Sequence, residues 1–264
     1  MTTQAYAGGP ATPRARCVLA PNPGPMTLDG TNTWVLAEPG SSLAVVVDPG
    51  PDDDGHLTAV QASVEAEGRR VALILLTHTH ADHAAGARLF GNRTGAQVRA
   101  LDQRQRGVDE ALASGDVVEV GGLVVKVVAT PGHSADSLCF VLLADAAVLT
   151  GDTVLGRGTT VVAHPDGRLA DYLASLLRLR DLASASGVTT VLPGHGPVLG
   201  DALAVVEQYL AHRAERLAQV EAAVAAGDRT AAEVVRRVYA DVDPVLWPAA
   251  EMSVRAQLDY LRAH

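Results

Sequence analysis

The 264-residue sequence predicts an α/β fold, an αββα sandwich of two sheets each faced by helices, with a small three-helix domain appended. Three observations predict it. Short β-rich runs fall into two groups, one before residue 77 and one from 117 to 192, and each group brings a helix of amphipathic spacing. The run Val71 to Leu76 is apolar throughout, as expected of a strand covered on both faces. From Asp201 the pattern is helical only, so the chain divides into a sandwich domain, 1–205, and a helical domain, 206–264.

Taken in order, Thr33 to Leu36 and Leu43 to Val47 are strands, the second stopped by the turn Asp48-Pro49-Gly50-Pro51. Asp52, Asp53 and Asp54 place negative charge where a helix starts. Leu57, Val60 and Val64 give that helix its apolar face, and Gly68 is suited to end it. Strands follow at Val71 to Leu76, Val117 to Val120, Leu123 to Val128, Leu138 to Leu143 and Ala147 to Leu149. A helix from Asp171 to Ala183 carries Leu173, Leu176 and Leu177, and Val188 to Leu192 is the last strand. In the tail, Leu203, Val206, Leu210, Leu217, Val220 and Val224 form one helical stripe that Gly227 stops. Thr230-x-x-Glu233 is a capping box for a second helix through Tyr239, and Val254, Leu258 and Leu261 mark a third.

Hydrophobic residues at 48% and charged residues at 19% exclude a disordered chain, and no apolar run reaches the roughly 18 residues of a membrane span. The segment Met1 to Arg16 lacks the apolar stretch of a secretory signal. Cys17 and Cys139 are too few for a disulfide framework, so a cytoplasmic location is expected. A net charge of -9, a single lysine (Lys126) and 3% aromatics argue against a broad polyanion surface or a base-stacking platform.

Chemistry concentrates in His78-Thr79-His80-Ala81-Asp82-His83, four metal-competent side chains in six residues directly after a buried strand. Packing does not account for such crowding, because ionisable groups are rarely buried unpaired. His133, Asp152 and His195 follow, each preceded by glycine in a tight turn after a strand. Ligands drawn from several strand ends converge on one edge of the sheets. A His/Asp set without cysteine favours borderline metals, zinc first, with iron and manganese as alternatives.

The H-x-H-x-D-H run followed by isolated His, Asp and His resembles the metallo-β-lactamase superfamily over roughly residues 30 to 200. That resemblance implies the metallo-β-lactamase fold and a di-metal hydrolase. It places one metal on His78, His80 and His133 and the second on Asp82, His83 and His195, with Asp152 bridging opposite a nucleophilic hydroxide. Asp82 would also orient the nucleophile or take its proton. Aspartate at position 152 resembles the hydrolases of thioesters, lactones and phosphodiesters rather than true β-lactamases, leaving β-lactam turnover at most weak. The opening segment Asn22 to Thr33, together with Arg229-Thr230-Ala231 and Pro248-Ala249-Ala250, is similar to the β-lactamase-like protein 2 group, with its winged-helix-associated tail. That similarity implies endoribonuclease cleavage of single-stranded RNA, the first reading. The alternative is a thioester, lactone or ester hydrolase on a small metabolite, favoured by the acidic, aromatic-poor composition.

Asn32 and Thr33 either line the site mouth or support a turn feeding a strand. His164 either protonates a leaving group or is a solvated loop histidine. Cys139 reads as core, and His56, His212 and His264 as surface. The tail from His212 holds seven arginines and eight acids. With Asp241 and Asp243 close behind Arg236 and Arg237, packing or a substrate rim is expected there rather than sequence-specific DNA binding or a non-catalytic nucleic-acid role. The oligomeric state is not legible in the sequence.

Overall fold

Alternation of buried apolar residues with equally buried apolar neighbours sets the layers. In the computed structural model, which describes residues 6–105 and 107–263, Trp34, Leu36, Val45, Val47 and Leu75 face one way and Val35, Val46 and Ile74 the other. The first half comprises β1 (Gly9–Pro10), β2 (Ala15–Leu19), β3 (Asn32–Leu36), β4 (Leu43–Val47), α1 (Asp54–Glu65), β5 (Arg70–Leu75), α2 (Ala81–Ala84), α3 (Ala87–Thr94), β6 (Gln97–Ala100) and β7 (Glu110–Ala111). Its seven strands lie side by side in chain order. β1 to β4 pair antiparallel, and β4 to β7 pair parallel.

The second half comprises β8 (Val117–Val120), β9 (Leu123–Ala129), β10 (Leu138–Leu142), β11 (Ala147–Gly151), α4 (Leu169–Ser186) and β12 (Thr190–Pro193). These form a five-stranded sheet in the order β12-β11-β10-β9-β8. Only β11 and β12 are parallel, because α4 provides the crossover that a parallel pair requires. Phe140 and Leu149 of this sheet meet Trp34 and Leu75 of the other in the central core. Leu57 and Val60 of α1 and Phe90 of α3 cover the outer face of the first sheet, and Tyr172, Leu176 and Leu179 of α4 cover that of the second. The predicted αββα order is therefore present. β1, β2, β6, β7, α2 and α3 add to the elements the sequence predicts.

The tail comprises α5 (Ala202–Ala225), α6 (Ala231–Val238) and α7 (Trp247–Ala263). Thr230 and Glu233 form the predicted capping box at the start of α6. The division expected at 205/206 falls inside α5. Val206 and Tyr209 pack with α4, whereas Val220 and Ala223 pack with Val234, Val235 and Val254 in a separate small core. Ala256 of α7 returns to the sandwich core, so the helical unit is docked rather than tethered. No helix among the described residues is long and apolar enough to cross a membrane. His264 lies outside the described residues.

Candidate metal centre

Parallel strands deliver their following loops to the same edge of a sheet, and two cross-sheet bonds pin those edges together. Leu138 N donates to Thr77 O at 2.7 Å, and Asn32 N donates to Gly194 O at 2.8 Å. The loop after β5 carries His78 and His80, and the single turn of α2, which His80 caps, presents Asp82 and His83. Gly132 and Gly194 allow the backbones to approach. A Cβ at Gly132 would lie 2.3 Å from Tyr172 Cα, and one at Gly194 would lie 2.5 Å from Asp152 Oδ1.

All seven residues meet. His78, His80 and His133 offer donor atoms within 4.8 Å of one another, as do His78, His83 and Asp152, and Asp82, His83 and His195. Asp152 sits between the outer groups, its Oδ2 3.7 Å from His133 Nε2 and 3.4 Å from His195 Nε2. Asp82 Oδ2 lies 3.2 Å from His195 Nε2.

The hydrogen bonds around this cluster assign the ring protons. His133 Nδ1 donates to Val161 O at 2.7 Å and His195 Nδ1 to Gly30 O at 3.1 Å, because a carbonyl can only accept. The Thr77 hydroxyl donates to Asp48 Oδ2, so its oxygen accepts from His78 Nδ1 at 3.0 Å. His83 Nδ1 donates to Asp48 Oδ2 at 2.9 Å. Four imidazoles thus turn Nε2 inward, the nitrogen a metal would take. His80 instead turns Nδ1 inward, 3.0 Å from both His78 Nε2 and His133 Nε2.

Facing ring nitrogens, among them His83 Nε2 and His195 Nε2 at 3.2 Å, need a cation or a proton between them. Asp152 Oδ1 is buried without a hydrogen-bond partner. Burial keeps His78 well below the ordinary histidine pKa and lowers His133, so both are neutral donors. Burial acts the same way on His83 and His195, but Asp152 outweighs it, with Asp48 assisting at His83. His83 is held well above its ordinary value and His195 is raised to about 9. Burial opposes ionisation of Asp152, yet His195 and His83 hold its carboxyl well below the usual range. A metal entering here takes the place of those protons. The residues fit divalent cations.

The other candidates lie elsewhere. Asn32 is fully buried and does not line a mouth: its Nδ2 donates to Pro193 O and Gly196 O at 2.9 and 2.8 Å, bracing the loop that carries His195. Thr33 is equally buried, and its hydroxyl donates to Asp48 O at 2.7 Å. His56, read as surface, is buried at 3% exposure, with Nε2 2.8 Å from Thr33 Oγ1, because α1 lays its first turn against the 48–50 turn. His164 pairs with Asp259 Oδ2 of α7 at 3.0 Å. His212 is half-buried and lines a cleft beside the centre.

Asp48 was not singled out in the sequence as a site residue. It is 1% exposed and also accepts from Thr77 N at 2.7 Å. Its position after a strand, ahead of Pro-Gly, was the available signal. The cleft, about 280 Å³, opens on His133 and Asp152. Its walls come from Met26 and Leu28, the 155–161 loop, and tail residues including Arg213, Tyr239 and Leu246.

Comparison with known proteins agrees with this geometry. The model of the metallo-beta-lactamase superfamily matches residues 26–105 and 102–195, and that of the beta-lactamase associated winged helix domain matches 230–264. The chain therefore belongs to the metallo-beta-lactamase superfamily of metal-dependent hydrolases. It is 32% identical to a Beta-lactamase-like protein 2 homolog of Caenorhabditis elegans, over 85% of this chain and 76% of that one. An Atrochrysone carboxyl ACP thioesterase of Aspergillus fumigatus is 36% identical over 79% of this chain and 64% of its own, so the chain spans a little under two thirds of that relative. The lactamase-like protein adaB of Aspergillus niger is 34% identical over 78% of this chain and 62% of its own. Among solved structures, a metallo-beta-lactamase family protein from Thermus thermophilus superposes with a TM-score of 0.79 at 25% identity, over 95% of this chain and 94% of that one. A Beta-lactamase domain protein from Burkholderia ambifaria, at 24% identity and TM-score 0.83 over 99% and 90%, shares the fold.

Proposed function

We propose that the chain hydrolyses a thioester or related ester of a small metabolite, in the cytoplasm. The observation that carries this reading is the cleft over Asp152 and His133, small and largely apolar, with the tail as one wall. The names of relatives support it, since fungal proteins similar to this chain are called ACP thioesterases.

His78, His80 and His133 would hold one divalent cation and Asp82, His83 and His195 a second, with Asp152 shared and zinc the first candidate. Such ions supply Lewis acidity and lower the pKa of water to about 7. Asp82 is the more accessible carboxylate, with 30% of its side chain exposed against 11% for Asp152, and would take the proton of the attacking water in addition to binding a cation. Asp48 holds the Nδ1 protons of His83 and, through Thr77, of His78, which leaves both Nε2 atoms as the ones that would bind a cation. Leu155, Leu28 and Leu246 exclude water from the acyl chain. A lactone or a β-lactam presents the same carbonyl, the latter as a poor substrate.

Turnover by the metal-loaded chain on a chromogenic thioester and a fluorogenic single-stranded RNA, with His80→Ala as control, tests the reading. Thioester hydrolysis that disappears in His80→Ala is the expected result. RNA cleavage lost in that variant, without thioester turnover, would replace it with the phosphodiesterase reading.

A further inference from the structure

We infer that Arg213 and Arg216 of α5 form an anion-recognising subsite in the cleft, selecting acyl substrates whose thiol portion carries a phosphate or a carboxylate. The inference rests on the hydrolase reading above and names what the tail adds to it.

Arg213 is 5% exposed. One of its Nη atoms donates to Thr160 O, its guanidinium carbon lies 4.9 Å from the centre of the Tyr172 ring, and its Nε is buried without a hydrogen-bond partner. Arg216, three residues on and so on the same helix face, donates to Val238 O at 2.8 Å and Gln219 Oε1 at 2.9 Å, 4.6 Å above the Tyr239 ring. Among the described residues neither has a carboxylate within ion-pair distance. Arg157, the third arginine of the cleft, pairs with Asp29 and the half-buried Arg99 with Glu110, whereas Arg178, Arg229 and Arg236, which also have no ion pair among the described residues, are exposed. The counter-charge is therefore missing where burial makes its absence most costly.

No neighbour among the described residues fills that role. Asp152 is the only carboxylate of theirs lining the cleft, and it is placed in the metal centre. Glu215, on the same helix, accepts instead from Gln219 Nε2 at 3.4 Å. His212, beside Arg213, has a buried Nδ1 without a partner and adds a neutral donor or acceptor to the same wall. Two guanidiniums one turn apart, flanked by Val242 and Leu246, match an anionic head attached to an apolar chain.

The test uses metal-loaded full chain and three butanoyl thioesters: of N-acetylcysteamine (neutral), of N-acetylcysteine (carboxylate) and of phosphopantetheine (phosphate). Wild type should prefer at least one anionic thioester, and which one identifies the anion. Arg216→Gln should lower the ratio of anionic to neutral kcat/KM roughly 10- to 100-fold, mainly through KM, the span of one charge-assisted hydrogen bond. Arg216→Lys should restore part of it. Arg216 is chosen first because Arg213 is buried and its removal risks the fold.

Titration calorimetry with the S-methyl thioethers of the same three thiols gives a readout without turnover. Wild type should bind the anionic thioether more tightly, and Arg216→Gln should lose that margin. If no thioester is hydrolysed, the hydrolase reading fails while the titration still decides the subsite. An anionic preference absent from wild type, or unchanged in Arg216→Gln, overturns the inference.

Discussion

Asp48→Asn is the sharpest probe of how the cluster is kept ready for metal. Asp48 has φ 51, a left-handed conformation that asparagine tolerates as well as aspartate, so the backbone is not challenged. Oδ1 accepts from Thr77 N at 2.7 Å, and asparagine retains that bond. Oδ2 accepts from Thr77 Oγ1 at 2.6 Å and from His83 Nδ1 at 2.9 Å. An amide nitrogen there is a donor facing two donors.

The hydroxyl can rotate, but His83 has only one way out. Its proton must move from Nδ1 to Nε2, and Nε2 is the atom that faces His195 and the metal group. A buried donor left unmatched costs about 1–3 kcal/mol, and loss of such an outer-shell partner typically weakens metal affinity about 10–100-fold. Asp48→Asn is therefore expected to fold and to lose one metal equivalent to a chelator at a concentration the wild type withstands. Elemental analysis after gel filtration, with a graded chelator competition, measures this. Metal content and chelator resistance equal to wild type would refute the tautomer reasoning.

Three further outcomes are expected. Stripping metal should lower the thermal midpoint, since at 100 times Kd a bound ion contributes about 2.7 kcal/mol. A midpoint indifferent to chelator would mean the seven residues hold nothing. Asn32→Ala removes the donor to Gly196 O and should destabilise by about 1–3 kcal/mol in denaturant unfolding, whereas a residue merely lining a mouth would cost nothing. Burial lowers the pKa of His56, which Asp53 only partly opposes. The unfolded chain therefore binds a proton at His56 that the folded chain refuses. Stability contributed there is complete above about pH 6.5 and is lost as pH falls below it. His56→Gln should flatten the midpoint-against-pH slope below about pH 6.5, and identical slopes would discard this.

What could be read from sequence divides by the range of the interaction. The metal-competent residues were legible because each carries a local mark: a buried strand just before it, a glycine beside it, or three neighbours of the same chemistry. β4 and β8 were bounded correctly because their apolar runs end at turn residues. β6, Gln97–Ala100, alternates polar with apolar residues over only four positions, a run too short to mark a strand by itself, and it is held between β5 and β7. Asn32 is harder still. Its partner Gly196 is 164 residues away, so a turn signal or a mouth residue was all that nearby sequence could suggest. His56 was misplaced for the same reason, since what buries it is the turn after another strand.

The tail shows the limit from the other side. Its net charge is near zero, and read as a composition it offers no binding surface. Folding sorts that charge. Arg237 closes on Asp228, Arg255 on Glu251 and Arg262 on Asp259, while Arg213 and Arg216 turn toward the cleft without a carboxylate among the described residues. Averaged over the segment the acids cancel the arginines; at the cleft they do not. The sandwich, through residues delivered by strand ends, sets what reaction the site can run. The tail brings two arginines and the apolar residues beside them to the same cleft, which is what the proposed anion subsite is built from.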